Sequence, residues 1–267
     1  AATRLVVDPA HQRPALDQTV LVGHSMGGLV SKLQSVDSGA QFWATMSDHP
    51  FDELQADPEL KQKLSDAFFF QPNPSVRRVV TIGTPHRGSK LANDFTEWLG
   101  NSLIRIPMKM VQRREELLAR NANYFRPNAP LEIKTSLDSL DPDSPLLTTL
   151  RTADPAPWVY YHNIVGRQQR TRLRSLVSAE GDGVVSLQSA RLDGLPRVES
   201  QLVVEADHLG VHRHPQSVLE VRRILYEQLA ELELGPNKKP DIRVTSAESM
   251  HGVSEQSTPI DAPSVVR

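Results

Sequence analysis

The chain of 267 residues is 39% hydrophobic and carries 30 Lys and Arg against 32 Asp and Glu, a formal net charge of -2. That hydrophobic share suits a globular core with polar extensions and excludes a purely disordered or fibrous chain, while the charge balance leaves no overall field to draw it to nucleic acid or acidic lipid. With no cysteine, disulfides, Cys-ligated zinc, iron-sulfur clusters and thiol catalysis are excluded, although the compartment stays open.

No stretch approaches the roughly 20 apolar residues that span a bilayer. The first twenty residues mix Arg, Asp, His and Pro, so neither a membrane span nor a signal peptide is expected in this sequence. The first residue is Ala rather than Met, which hints at a processed or incomplete chain.

In chain order, Thr19 to Val22 is a short apolar run ending in Gly23, and a helical pattern begins around Leu29 to Leu33: strand, sharp turn, helix. The chain that follows has room for two helices before a β-branched strand, Val76 to Ile82, which ends in Gly83-Thr84-Pro85. Lys90 to Ala156 breaks the strand rhythm with helical pieces. One starts near Pro107 and runs through Val111, Leu117 and Leu118, and another is capped by Ser144-Pro145. This segment reads as an inserted cap.

A third strand, Trp158 to Val165, ends in Gly166, and a polar loop with Gly181-Asp182-Gly183 leads to a fourth, Gln201 to Glu205. Pro215 then opens a helix with apolar residues at Val218, Val221, Ile224, Leu225, Leu229 and Leu232, stopped by Gly235-Pro236. Strands alternating with helices imply a parallel sheet covered on both faces. Residues 236–267 are rich in Ser, Pro, Lys and Glu without periodicity and read as a disordered tail.

Chemistry concentrates at Gly23-His24-Ser25-Met26-Gly27, a G-x-S-x-G pattern between a predicted strand and a predicted helix. In a nucleophile elbow the serine takes a strained backbone at the strand end, and the flanking glycines, here Gly23 and Gly27, are needed where a side chain would clash. The N-H of Met26 then points at a developing oxyanion. A phosphate-binding loop is the plainer alternative, but no G-x-x-x-x-G-K-[ST] or G-x-G-x-x-G follows any strand.

A serine hydroxyl needs a base, and the base needs an acid to hold its tautomer. His208 directly follows the last strand, at the sheet edge that carries Ser25, and is favoured over His212 and His214. Asp182, bracketed by glycines after the third strand, is favoured as the acid over Glu180 and Asp207. No carboxylate cluster accompanies the late histidines at ligand spacing, so neither a metal nor a cofactor is expected. Asp138, Asp141 and Asp143 read as caps and turns rather than calcium ligands. Phe68, Phe69 and Phe70 read as core rather than as an acyl pocket.

Together Gly23-His24-Ser25-Met26-Gly27-Gly28, Gly83-Thr84-Pro85-His86-Arg87-Gly88-Ser89, Asp182-Gly183-Val184-Val185 and Asp207-His208 resemble an α/β-hydrolase of the bacterial lipase and esterase type, over about residues 15 to 233. The Gly-Thr-Pro-His segment is similar to lipase-like members, including deacylases of lipid-anchored proteins. The resemblance implies a mostly parallel sheet with helices on both faces, of which strands five to eight are present in residues 1–235. It implies a lid in the insertion after strand six, at about residues 90–156, and hydrolysis of a small-molecule or lipid ester through Ser25, Asp182 and His208. His86 and Arg87 would then lie near the pocket, although a cap of the strand end through a backbone hydrogen bond is the simpler role for His86. His24 is expected to touch loops beside the nucleophile and not to act as base.

Only 24 residues precede Ser25. The resembled fold places about four strands, two helices and the loop with the second oxyanion donor there. The expectation is a C-terminal part of a longer hydrolase, lacking the second donor and leaving the first strand as an open edge. Acyl transfer and amide hydrolysis share the triad and stay open, as does a non-catalytic binding module on the same fold; oligomeric state and exact ester are not legible.

Overall fold

In a computed structural model of the chain, the described residues are 14–89, 115–127, 129, 140–168 and 180–234. Two compact units divide the chain, Ala1–Leu225 and Tyr226–Arg267, and the sheet and site described here belong to the first.

Four strands, β1 (Thr19–His24), β2 (Val76–Ile82), β3 (Tyr160–Gly166) and β4 (Val198–Val204), form one sheet in the order β1-β2-β3-β4. Every neighbouring pair is parallel. Helices fill the crossovers that parallel strands require: α1 (Met26–Leu33) and α2 (Pro58–Phe68) precede β2, α3 (Pro145–Thr152) precedes β3, the single turn α4 (Leu187–Ala190) precedes β4, and α5 (Pro215–Leu234) follows it. The class is α/β with a parallel sheet.

Alternation along the strands assigns the two faces. Val80, Ile82, Ile164 and Val204 pack with Val221 and Ile224 of α5 on one face. On the other, the Tyr161 hydroxyl meets Ser35 just beyond α1, and Asn163 donates to the carbonyl of Ala190 at the end of α4. Both faces are therefore covered, and β2 and β3 are almost wholly buried. Each such Val or Ile contributes about 1.5–3 kcal/mol by leaving water.

The starts and stops have local causes. Pro58 and Pro145 occupy first helical positions, where a missing N-H costs nothing. Asp57 caps α2 by accepting from the Leu60 N-H at 3.0 Å, whereas the side chain of Ser144 makes no capping bond to α3. β4 starts three residues before the run expected from sequence, because Glu199 and Ser200 interrupt the apolar signal; the Ser200 hydroxyl is engaged by His162 at 2.9 Å.

Within the expected cap, residues 115–120 are helical and α3 is present. The start of the helix near Pro107, Asp138, the Gly235-Pro236 stop and the tail 236–267 lie outside the described residues. Among the described residues, no helix is long and apolar enough to cross a membrane.

Candidate active site

Because all four strands run the same way, the loops after their carboxyl ends converge on one edge of the sheet. Ser25 follows β1, Gly83 to Ser89 follow β2, Asp182 lies between β3 and β4, and His208 follows β4.

Ser25 alone separates β1 from α1 and has φ 55° and ψ -130°, a conformation unusual for a side-chain-bearing residue. Such a backbone costs about 1–3 kcal/mol and persists only where its surroundings enforce it. Here the Ser25 N-H donates to the Ile82 carbonyl at 2.9 Å. A Cβ on Gly23 would stand 2.4 Å from the Gly27 carbonyl carbon, and one on Gly28 would stand 2.0 Å from Thr84 Oγ1. Nothing lies within 4 Å of a Cβ on Gly27. The second obligatory glycine is therefore Gly28, packed under the loop after β2, and not Gly27.

Ser25, His208 and Asp182 are brought into one hydrogen-bonded chain. Ser25 Oγ lies 3.0 Å from His208 Nε2, and His208 Nδ1 lies 2.8 Å from Asp182 Oδ2. The Asp182 carboxylate can only accept, so the ring proton sits on Nδ1, and bare Nε2 accepts from the serine hydroxyl. The second oxygen of Asp182 accepts from the N-H groups of Val184 and Val185 at 3.0 and 2.7 Å, and its carbonyl accepts from the His208 N-H at 3.0 Å. The Asp182 carboxylate is thus clamped by its own loop. All three side chains are buried.

The rival residues are engaged elsewhere. Asp207 accepts from the Gly210 N-H at 2.6 Å, and Glu180 pairs with Arg167 at 3.7 Å. His214 Nδ1 faces the Gln216 N-H at 3.3 Å, and the exposed His212 ring packs on that of His24 at 4.6 Å. His24 donates from Nε2 to the His208 carbonyl at 2.9 Å, which fixes its proton on that nitrogen. Burial lowers the His24 pKa, the bond to the His208 carbonyl opposes this, and nearby His208 and His212 add to the lowering. His24 thus holds the backbone of the loop that carries His208. Met26 opens α1, and its N-H is among the first-turn amides that no helical carbonyl reaches.

A cavity of about 620 Å³ adjoins Met26, lined by Leu29, Phe42, Phe68, Leu147 and Leu150 among others. Phe68 and Phe70 serve both core and cavity wall, while Phe69 is half-exposed. His86 does not line this cavity. It is buried, and its ring makes no hydrogen bond, so it does not cap the strand end as expected; it borders a separate cavity with Lys32 and Arg87. Asp141 accepts from the Asp143 N-H at 2.9 Å, as a turn residue does. No cluster of three metal-ligating side chains occurs among the described residues.

No protein-family model and no curated protein matches this chain. Among solved structures it is similar to the Bacillus licheniformis lipase BlEst2 in mature form, at 16% identity and a TM-score of 0.36, over 79% of this chain and 65% of that one. The Staphylococcus hyicus lipase is similar at 14% identity and 0.42, over 81% and 70%, and EstA from Clostridium botulinum at 14% and 0.43, over 77% and 64%. The chain spans 35% of the propeptide form of BlEst2.

Proposed function

We propose that this chain carries a serine hydrolase site of the α/β-hydrolase type that cleaves a carboxylic ester through an acyl-enzyme. The observation that carries the reading is the hydrogen-bonded chain from Ser25 through His208 to Asp182, with Ser25 held in the left-handed backbone region between a strand and a helix. In that arrangement His208 Nε2 takes the hydroxyl proton as Ser25 Oγ attacks the ester carbonyl. The Asp182 carboxylate stabilises the imidazolium that forms, and the Met26 N-H donates to the oxyanion. Collapse of the tetrahedral intermediate expels the alcohol, protonated by His208. A water, deprotonated by the same nitrogen, then releases the acid and returns Ser25 to its hydroxyl form.

The apolar cavity beside Met26 suits the hydrocarbon of a small-molecule or lipid acyl group. Residues 1–235 form the hydrolase region in this reading, with about 90–156 as its cap.

The test is labelling by a fluorophosphonate together with turnover of p-nitrophenyl esters of rising chain length. Ser25→Ala should abolish labelling and lower turnover by about 10⁴–10⁶ while the far-UV circular dichroism stays unchanged. Undiminished hydrolysis by the folded variant overturns the assignment.

A further inference from the structure

α1 and α3 each present two different faces. Leu29 and Leu33 of α1 and Leu147 and Leu150 of α3 line the apolar cavity, whereas Lys32 and Arg151 line a second cavity of about 320 Å³ with which it shares no residue. The second cavity is completed by His86 and Arg87 after β2, by Thr152 and Asp154 at the end of α3, and by residues 191–196 after α4. Charged side chains line much of it, and it is separate from the Ser25 chain.

Two of its side chains are costly as they stand. His86 is 3% exposed, and neither ring nitrogen has a hydrogen-bond partner. Burial, then the charge of Lys32, holds the His86 pKa down to about 3, with Arg87 adding to the lowering and the Asn163 side chain opposing it. Lys32 is 2% exposed, and its ammonium donates to the Arg151 carbonyl at 3.2 Å. Arg87 Nε is also buried without a partner. An unsatisfied buried donor costs about 1–3 kcal/mol. Two such groups on one cavity wall, the His86 ring and Arg87 Nε, point to a ligand that satisfies them.

We propose that this cavity is a binding site for a phosphate monoester. Four cations line it, Lys32, Arg87, Arg151 and Arg191, against two carboxylates, Asp154 and Asp193. Asp193 is engaged with Arg191 at 3.0 Å. The excess of two positive charges matches a phosphate monoester dianion. Its three terminal oxygens suit donors arriving from α1, from the loop after β2 and from α3, more directions than the two oxygens of a carboxylate serve. The volume falls at the lower end of the roughly 300–1,000 Å³ typical of small-molecule sites, leaving room for an organic substituent beyond the phosphate. The site stands apart from ester hydrolysis and does not depend on it.

The experiment titrates the whole chain with inorganic phosphate and with glycerol 3-phosphate, following Tm and ³¹P line width, against chloride at equal ionic strength. A saturable rise in Tm with both phosphates, absent with chloride, is expected. Lys32→Met should weaken the apparent affinity at least tenfold. Arg151→Gln, on an exposed side chain that threatens the fold less, should weaken it several-fold. His86→Leu should raise the Tm of the ligand-free protein while erasing the phosphate response. Absence of a saturable response, or an equal response in the wild type, Lys32→Met and Arg151→Gln, overturns the proposal. Co-sedimentation with phosphatidic acid vesicles that glycerol 3-phosphate competes away would support the proposal with a lipid headgroup as source. Retained soluble binding without vesicle binding would support it with a free phosphate monoester.

Discussion

His208, in the loop after β4, and His162, inside β3, are two buried imidazoles with opposite surroundings. His208 has the Asp182 carboxylate at Nδ1 and the Ser25 hydroxyl at Nε2. His162, inside β3, has the Arg78 guanidinium at Nε2, 3.0 Å away. A guanidinium only donates, so Nε2 of His162 accepts, and its Nδ1-H donates to Ser200 Oγ, which in turn donates to Glu220 Oε1 at 2.7 Å. Burial, then the charges of Arg78 and Arg223, bring the His162 pKa down to about 3 against the pull of Glu220. Position in the sheet separates the two rings. At the carboxyl edge, loops can deliver a carboxylate and a hydroxyl to one side chain. Within the strands, neighbours fix a single protonation state and use the ring as structure.

The sharpest way to break this contrast is Asp182→Asn. It preserves shape but lets the wrong ring nitrogen carry the proton, and kcat for p-nitrophenyl esters should fall by about 10⁴. A variant with near-normal kcat would show that Asp182 does no more than close its loop.

Acid should act on the structural histidines. His162 and His86 have folded-state pKa values of about 3 against 6.5 for the free group. Between those values the unfolded chain binds protons that the native one does not. The stability associated with the neutral rings is therefore complete above about pH 6.5 and is lost as pH falls toward 3. Each histidine contributes up to about 1.4 kcal/mol per pH unit across that window. Urea melts between pH 4 and 6 should show a shallower dependence for His162→Leu by about that amount, while kcat at pH 7 stays within about twofold of wild type.

The elbow glycines give a smaller and more local contrast. Gly28→Ala drives a Cβ into Thr84 and should cost about 1–3 kcal/mol of stability in urea melts. Gly27→Ala meets nothing and, at a helical position, should be neutral or stabilising by up to about 1 kcal/mol. Smallest of all, His24→Ala removes one hydrogen bond to the backbone of His208. The expected loss is about fivefold in kcat, the equivalent of about 1 kcal/mol; a loss as large as that of Ser25→Ala would assign His24 a more direct part.

The strand β2 and the order Ser25, Asp182, His208 were legible in the sequence because β-branched runs and glycine-bounded polar residues follow local rules. Which glycine is crowded was not, since Thr84 reaches Gly28 from another strand's loop, about 56 residues away. The start of β4 was hidden because Ser200 serves His162 across the sheet. Lys32 left one readable trace, a lysine three residues after Leu29 on the stripe that α1 buries. Its neighbours, His86 and Arg151, come together only through the sheet crossovers, which periodicity does not encode. The expected hydrogen bond of the His86 ring failed for the same reason: the cavity beside it is assembled by tertiary packing.

The contact between Ser25 and His208 joins residues 183 apart in the chain. During synthesis Ser25 is made first and His208 much later. At about 5–20 residues per second the interval is roughly 10–40 s. The elbow itself needs only β1, α1 and β2, so the serine can adopt its backbone conformation while its proton still has no acceptor. In the proposed mechanism, acylation therefore waits until His208 reaches Ser25. A nascent chain of such a hydrolase would meet esters in its surroundings before its serine could react with them.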